Sequence, residues 1–192
     1  MKMIHFNWRG VAISLALPLA ACGSADTARY LIDAPAPTAA EARVSVRSVE
    51  LRDVSLPDHA SGTSIFVREA DGALRPLGEA EWADDPERAV TGTLAQLLDA
   101  RSTATVAAEP WPLRDGPSAR LDVRVDKMLA NATGVFEITG QAAVSAVEGR
   151  PRERVERFAV SAPITEVSAA GITDAQARAL ALLADELIGL LR

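Results

Sequence analysis

Residues 120–126 alternate strictly. Leu121, Val123 and Val125 are apolar; Arg120, Asp122, Arg124 and Asp126 between them are charged. In an extended chain successive side chains point to opposite faces, so this stretch has one face made for a core and one made for water. Such a strand commits its surroundings. Other strands must pair beside it, and something apolar must cover its dry face. The following residues supply the partners. Asn131-Ala132-Thr133-Gly134 reads as a turn, and Val135–Ala146 returns as a long strand. Glu148-Gly149-Arg150-Pro151 turns again, and Glu153–Ser161 runs back with Val155, Phe158 and Val160 as its apolar residues. The pattern predicts an antiparallel meander.

Two helices are expected to cover it. Asp85 can cap the first, Pro86 suits the first helical position, and Glu87 favours the positive end of the helix dipole. Val90, Leu94, Leu97, Leu98 and the stem of Arg101 then form one stripe at helical spacing. In the second helix Thr173 and Gln176 fit a capping box, and Leu180, Leu183, Leu187 and Leu191 form the buried stripe, widened by Ala184. The N-terminal half reads as short strands at Tyr30–Ile32, Arg43–Leu51, Ser64–Arg68, Leu74–Leu77 and Ser102–Ala108. Asp71-Gly72 is a hairpin signal, and a change of phase near Ser48 reads as a bulge. Leu56–Gly62 is a turn, and a proline-rich loop carries Trp111. The expected fold class is α+β: an antiparallel or mixed sheet of about 5–7 strands with two amphipathic helices packed on one face.

The N-terminus reads as an address. Lys2 and Arg9 precede a short apolar run, Val11 to Ala20, and small residues lead into Cys22. This is the layout of a secretory signal, and the run is shorter than the ~20 residues that span a bilayer. Leu19-Ala20-Ala21-Cys22 resembles the lipobox of bacterial lipoproteins. The resemblance implies cleavage before Cys22, S-diacylglycerol on its thiol and N-acylation of its new amine. The expected organisation is a signal peptide over 1–21, a lipidated N-terminus and tether over 22–28, and a single periplasmic domain over 29–192. Gly23 and Ser24 after the cysteine resemble an outer-membrane sorting signal. An ordinary cleaved signal that leaves Cys22 as a free thiol is the alternative.

Removing residues 1–21 takes away Lys2 and Arg9 and no acid, which moves the formal charge from −6 to −8. That sign argues against nucleic acid and against electrostatic binding to anionic lipid. Cys22 is the one cysteine, so no disulfide within the chain is available and stability must come from packing.

The chemical inventory is poor. His5 leaves with the signal, so His59 is the remaining histidine, and no His/Cys metal site is expected. His59 lies in a Pro/Asp/Ser/Gly turn. It reads as a general base near Ser55, Ser61 or Ser64, or as a solvated loop residue; no nucleophile elbow accompanies it. The pairs Asp84/Asp85 and Glu79/Glu81 suit a helix cap and a solvated acidic approach better than two carboxylates held across a cleft. No catalytic residue is assigned. Trp82 reads as a staple onto the first helix or as an anchor for a partner, and Trp111 as a residue packed inward or a partner contact. Trp82, Trp111 and the turn bearing Leu56, Pro57 and His59 are the candidate partner-binding residues.

The order of segments carries a resemblance. The lipobox is followed closely by Arg29-Tyr30-Leu31-Ile32. Val54-Ser55-Leu56-Pro57-Asp58-His59, Ser64-Ile65-Phe66-Val67-Arg68 and Glu81-Trp82-Ala83 come next. An amphipathic helix ending Leu94-Ala95-Gln96-Leu97-Leu98, a strand pair and a C-terminal Ala/Leu helix over 179–191 complete the order. This resembles the ABC-type transport auxiliary lipoproteins, the PqiC/YmbA-like proteins. Ala60-Ser61-Gly62 after the Leu-Pro turn and the lone Tyr30 depart from the family pattern. The resemblance implies a non-enzymatic outer-membrane lipoprotein facing the periplasm, without cofactor beyond its lipid. Its partners would be an MCE-domain protein and the ABC and permease components of an intermembrane phospholipid transport system. The family includes ring-forming oligomers, which leaves homo-oligomerisation of this chain open. The alternatives are an assembly lipoprotein for lipopolysaccharide or secretin machinery and an envelope hydrolase.

Overall fold

The computed structural model describes residues 27–35, 41–147 and 152–192. The signal, Cys22 and the expected turn at 148–151 lie outside them. In chain order the elements are β1 (Arg29–Tyr30), β2 (Ser48–Leu51), α1 (Asp58–Ser61), β3 (Ser64–Arg68), β4 (Leu74–Trp82), α2 (Pro86–Arg101), β5 (Thr105–Ala108), β6 (Ala119–Asn131), β7 (Val135–Ala146), β8 (Arg154–Pro163) and α3 (Ala169–Leu190). The class is α+β. The sheet is mixed and has eight strands, more than the expected 5–7, because every one of the eight segments that read as strands joins this one sheet.

Strand β6 organises the sheet. It is 13 residues long, so one flank takes the whole of β7 while the other takes two shorter strands end to end. Val49–Leu51 of β2 lies parallel to Ala119–Leu121, Ser55 bridges to Arg124, and Val67 and Arg68 of β3 lie parallel to Ala130 and Asn131. Beyond β2 comes β5, parallel to it. Beyond β3 come β4, antiparallel, and then β1, parallel to β4. On the other side β7 and β8 complete the expected meander.

The alternation decides which face is covered. Leu121, Val123 and Val125, with Phe136, Ile138 and Val144 of β7 and Phe158, Val160 and Ala162 of β8, are buried in one core with the apolar residues of α2 and α3; α3 lies against β7 and β8, and α2 against α3 and β5. Arg120, Asp122, Arg124 and Asp126 are exposed. The register shifts between Val125 and Lys127, beside Gly140 of β7. A Cβ on Gly140 would sit 2.1 Å from the Arg124 carbonyl oxygen and 2.7 Å from the Phe158 ring. The shift ends the alternation, and Met128, Leu129 and Ala130 are all buried.

Several boundaries differ from the sequence pattern. Strand β1 stops at Tyr30. Strand β2 begins only at Ser48, so the phase change there is a strand start rather than a bulge; Ala42 before it makes an isolated bridge to Ser102. Strand β4 continues to Trp82. The Leu56–Gly62 turn contains one helical turn, α1. Helix α2 begins as expected, with the Asp85 carboxylate accepting from the Arg88 amide at 2.9 Å. Helix α3 begins four residues before Thr173. Ser168 caps it, its hydroxyl accepting from the Gly171 amide at 3.2 Å. The Thr173 hydroxyl donates instead to Ala169 O, and Gln176 is buried. Among the described residues no helix is long and apolar enough to cross a membrane.

Candidate functional site

The loop between β5 and β6, residues 109–118, is the most elaborately held surface segment. Pro110, Pro112 and Pro117 leave it few amide donors, and those that remain are fixed from below. The Trp111 amide donates to Glu50 Oε1 at 2.9 Å. The indole Nε1 donates to the Asp115 carbonyl at 2.7 Å. Glu109 N donates to Leu51 O at 2.8 Å, and its carboxylate pairs with Arg52 Nε at 2.7 Å. At the far end Ser118 N donates to Ser48 Oγ at 2.9 Å.

Glu50 is the residue that sequence reading missed. It is only 7% exposed, because the loop folds over it. Its Oε2 accepts from Arg120 Nε at 2.9 Å, so both carboxylate oxygens are occupied. A signal was available: an acid between Val49 and Leu51 in a strand buried on both sides requires a partner.

The loop presents Trp111, half-buried, and Leu113, 56% exposed. With Arg47, Arg114 and Ser48 they border an open recess of about 610 Å³. Neither Arg47 nor Arg114 has an ion pair among the described residues. A half-exposed aromatic and an aliphatic side chain next to unpaired guanidinium groups are the usual make-up of a protein contact surface.

The loop and the start of β1 lie at opposite ends of the sheet. Arg29 faces Glu81 and Glu81 faces Ser64, three residues before Val67, the partner of Ala130. The loop feeds Ala119 at the other end of β6. At about 3.3 Å per residue the two levels are roughly 25 Å apart. Because β1 runs against β6, Thr27 and Ala28 enter it from the side away from the loop.

The other sequence candidates are placed differently. Trp82 is 6% exposed and Leu56 is 8% exposed, both in the core. Pro57 and His59 are half-buried. Trp82 closes β4, its amide donating to Thr63 O at 2.7 Å. With His59, Met128, Phe136 and Ile172 it lines a cavity of about 20 Å³. The His59 Nε2 atom is buried without a hydrogen-bond partner, and Ser64 at the cavity wall makes no hydrogen bond to it. The structure therefore brings Trp82 and His59 together inside the molecule and leaves Trp111 apart from them.

The Asp84/Asp85 pair serves the backbone. Asp85 caps α2. Asp84 accepts from the Asp85 amide at 2.7 Å and pairs with Arg88; these two contacts, the amide first, hold its carboxyl below the usual carboxylate range. Glu81 lies 3.7 Å from Arg29, and Glu79 is exposed. Among the described residues no group of three His, Cys, Asp or Glu side chains is arranged to hold a metal ion.

No curated protein matches the sequence. Among solved structures, an uncharacterised protein has a similar fold, with a TM-score of 0.66 at 15% identity over 81% of this chain and 100% of its own. A Xanthomonas campestris protein of the DUF330 family has a TM-score of 0.62 at 17% identity, over 84% of this chain and 91% of its own. Residues 30–188, which include every strand after Arg29 and nearly all of α3, match the model of one family, and the chain belongs to it: the ABC-type transport auxiliary lipoprotein components.

Proposed function

We propose that this protein is a lipid-anchored accessory of an ABC/MCE-type intermembrane phospholipid transport system, and that it docks and organises the MCE component at the outer membrane without catalysing a reaction. Family membership supports the transport role, and the Leu19-Ala20-Ala21-Cys22 run supports the anchor. The observation that carries the docking role is the Trp111 loop. A buried carboxylate is committed to holding it, and a preorganised aromatic surface loses little conformational freedom on binding. The acylated Cys22 and a six-residue tether would keep the Asn131 end of β6 near the bilayer. The loop would then point away from the membrane, toward a partner arriving from the periplasm.

Affinity purification of the lipidated protein from detergent-solubilised envelopes tests this reading. An MCE-domain protein or a transporter subunit should co-purify, and Trp111→Ala should reduce its recovery at least several-fold. Recovery of neither component above the untagged control would remove the transport reading. Recovery unchanged in Trp111→Ala would move the contact to another surface.

A further inference from the structure

Strand β8 is paired on one side only, with β7, and its first half is exposed beyond that free edge. Every residue from Arg152 to Arg157 is exposed, on both faces, and Val155 is 65% exposed. The second half, from Phe158 onward, settles into alternating burial over α3. Natural sheets commonly place charges on such an edge to discourage pairing. Here the charges are ordered so that one pairing is favoured. Around Val155 the sequence runs Glu153-Arg154-Val155-Glu156-Arg157, with opposite signs at equal distances on either side.

We propose that β8 pairs with β8 of a second copy of this chain, antiparallel, about a twofold axis through Val155. In that register Val155 faces its own copy, Glu153 faces Arg157, and Arg154 faces Glu156. Residues directly opposite in an antiparallel pair share a face. The Glu153 and Arg157 pairs therefore flank the two valines on the open face of the joined sheet, and the Arg154 and Glu156 pairs lie on the helix side. The neighbouring registers are penalised. A slip of one residue one way sets Glu153 against Glu156 and Arg152 against Arg157; a slip the other way sets Arg154 against Arg157. Arg154 is already held in place, its Nη2 donating to Gly189 O at 2.9 Å and its Nε lying 3.2 Å from Glu156. Glu153 and Arg157 have no ion pair among the described residues. An overlap of about five residues is small beside the ~1,200 Å² of a stable interface. The pair is accordingly expected to form where copies are concentrated on one membrane and to need trapping for detection.

Disulfide trapping in the full-length protein provides the test. Val155→Cys places two thiols opposite each other at a separation that closes to a disulfide with little movement. Mild copper-phenanthroline oxidation of membranes carrying it should give a disulfide-linked dimer well above the parent chain, which has only Cys22. Ala159→Cys, on the same face, would put its thiols about 26 Å apart and should stay monomeric. Adding Arg157→Glu to Val155→Cys should cut trapping severalfold, and adding Glu153→Arg to that variant should restore it. No dimer from Val155→Cys, equal dimer from Ala159→Cys, or an Arg157→Glu loss that Glu153→Arg does not repair would each overturn the proposal.

Discussion

Glu50 offers the sharpest test of how the Trp111 loop is held. Its two oxygens accept from Trp111 N and Arg120 Nε, each at 2.9 Å, and its side chain is 9% exposed while that of Arg120 is 48% exposed. Glu50→Gln keeps an oxygen for the Trp111 amide but turns an NH₂ toward the guanidinium. A hydrogen bond to a charged group contributes roughly 1.5–3 kcal/mol, and a neutral one about 1 kcal/mol. Losing the charge therefore costs about 1 kcal/mol at the Trp111 amide. The Arg120 contact is half in solvent, where an ion pair contributes up to about 1 kcal/mol. The expected loss is about 2 kcal/mol for Glu50→Gln. It rises to about 3 kcal/mol for Glu50→Ala, which removes both acceptors and their packing. Urea denaturation at pH 7 measures the stability change. Amide hydrogen exchange at Trp111 reports the loop itself and should accelerate in both variants. Partner recovery should fall in Glu50→Gln although Trp111 is intact. A stability change below about 0.5 kcal/mol with unchanged Trp111 exchange would refute the view that this carboxylate holds the loop.

Gly140→Ala should destabilise the fold by about 3 kcal/mol, the upper range for overpacking, since its methyl group would meet the Arg124 carbonyl at 2.1 Å; thermal unfolding checks this. Arg101 is buried with its Nε unpaired, while Nη1 donates to Ala181 O at 3.1 Å and pairs with Asp185 at 3.0 Å. Arg101→Met should be neutral within about 1 kcal/mol or stabilising, and Arg101→Ala should cost about 2–4 kcal/mol through the lost stem, both read by urea titration. At the hairpin tip the hydrogen bond from Arg75, and then that from the Ala73 amide, hold the Asp71 carboxyl below its ordinary 3.8. Its contribution is therefore fully present above that value and is lost as pH falls through the lower folded value. Amide exchange at Ala73 should quicken relative to the core as pH falls below about 4, and Asp71→Asn should abolish that acid dependence.

Much of the fold follows from local pattern. The alternation at 120–126, the Asn131–Gly134 turn and the Asp85-Pro86 start are short-range signals, and each appears where the sequence puts it. What pattern could not reveal depends on contacts between distant segments. Helix α3 begins at Ala169 with Ser168 as its cap, and its first turn packs closely on Glu166, where a Cβ at Gly171 would meet the carbonyl at 2.1 Å; the Thr173–Gln176 spacing matched a capping box that the packed helix does not use. Trp82 has the same composition around it whether it anchors a partner or packs inside. It is internal because β4 extends past Leu77 to lie against β1 and β3.

The sequence by itself determined the meander, the two covering helices and the family order of motifs, since each is written in neighbouring residues. Only the tertiary structure decided that Trp111 rather than Trp82 reaches the surface, that Glu50 lies beneath it, and that its loop sits at the end of the sheet remote from the start of β1. Those facts depend on which strands lie on either side of β6 and in which direction each runs, and strand pairing across tens of residues is set by the packing of the whole core.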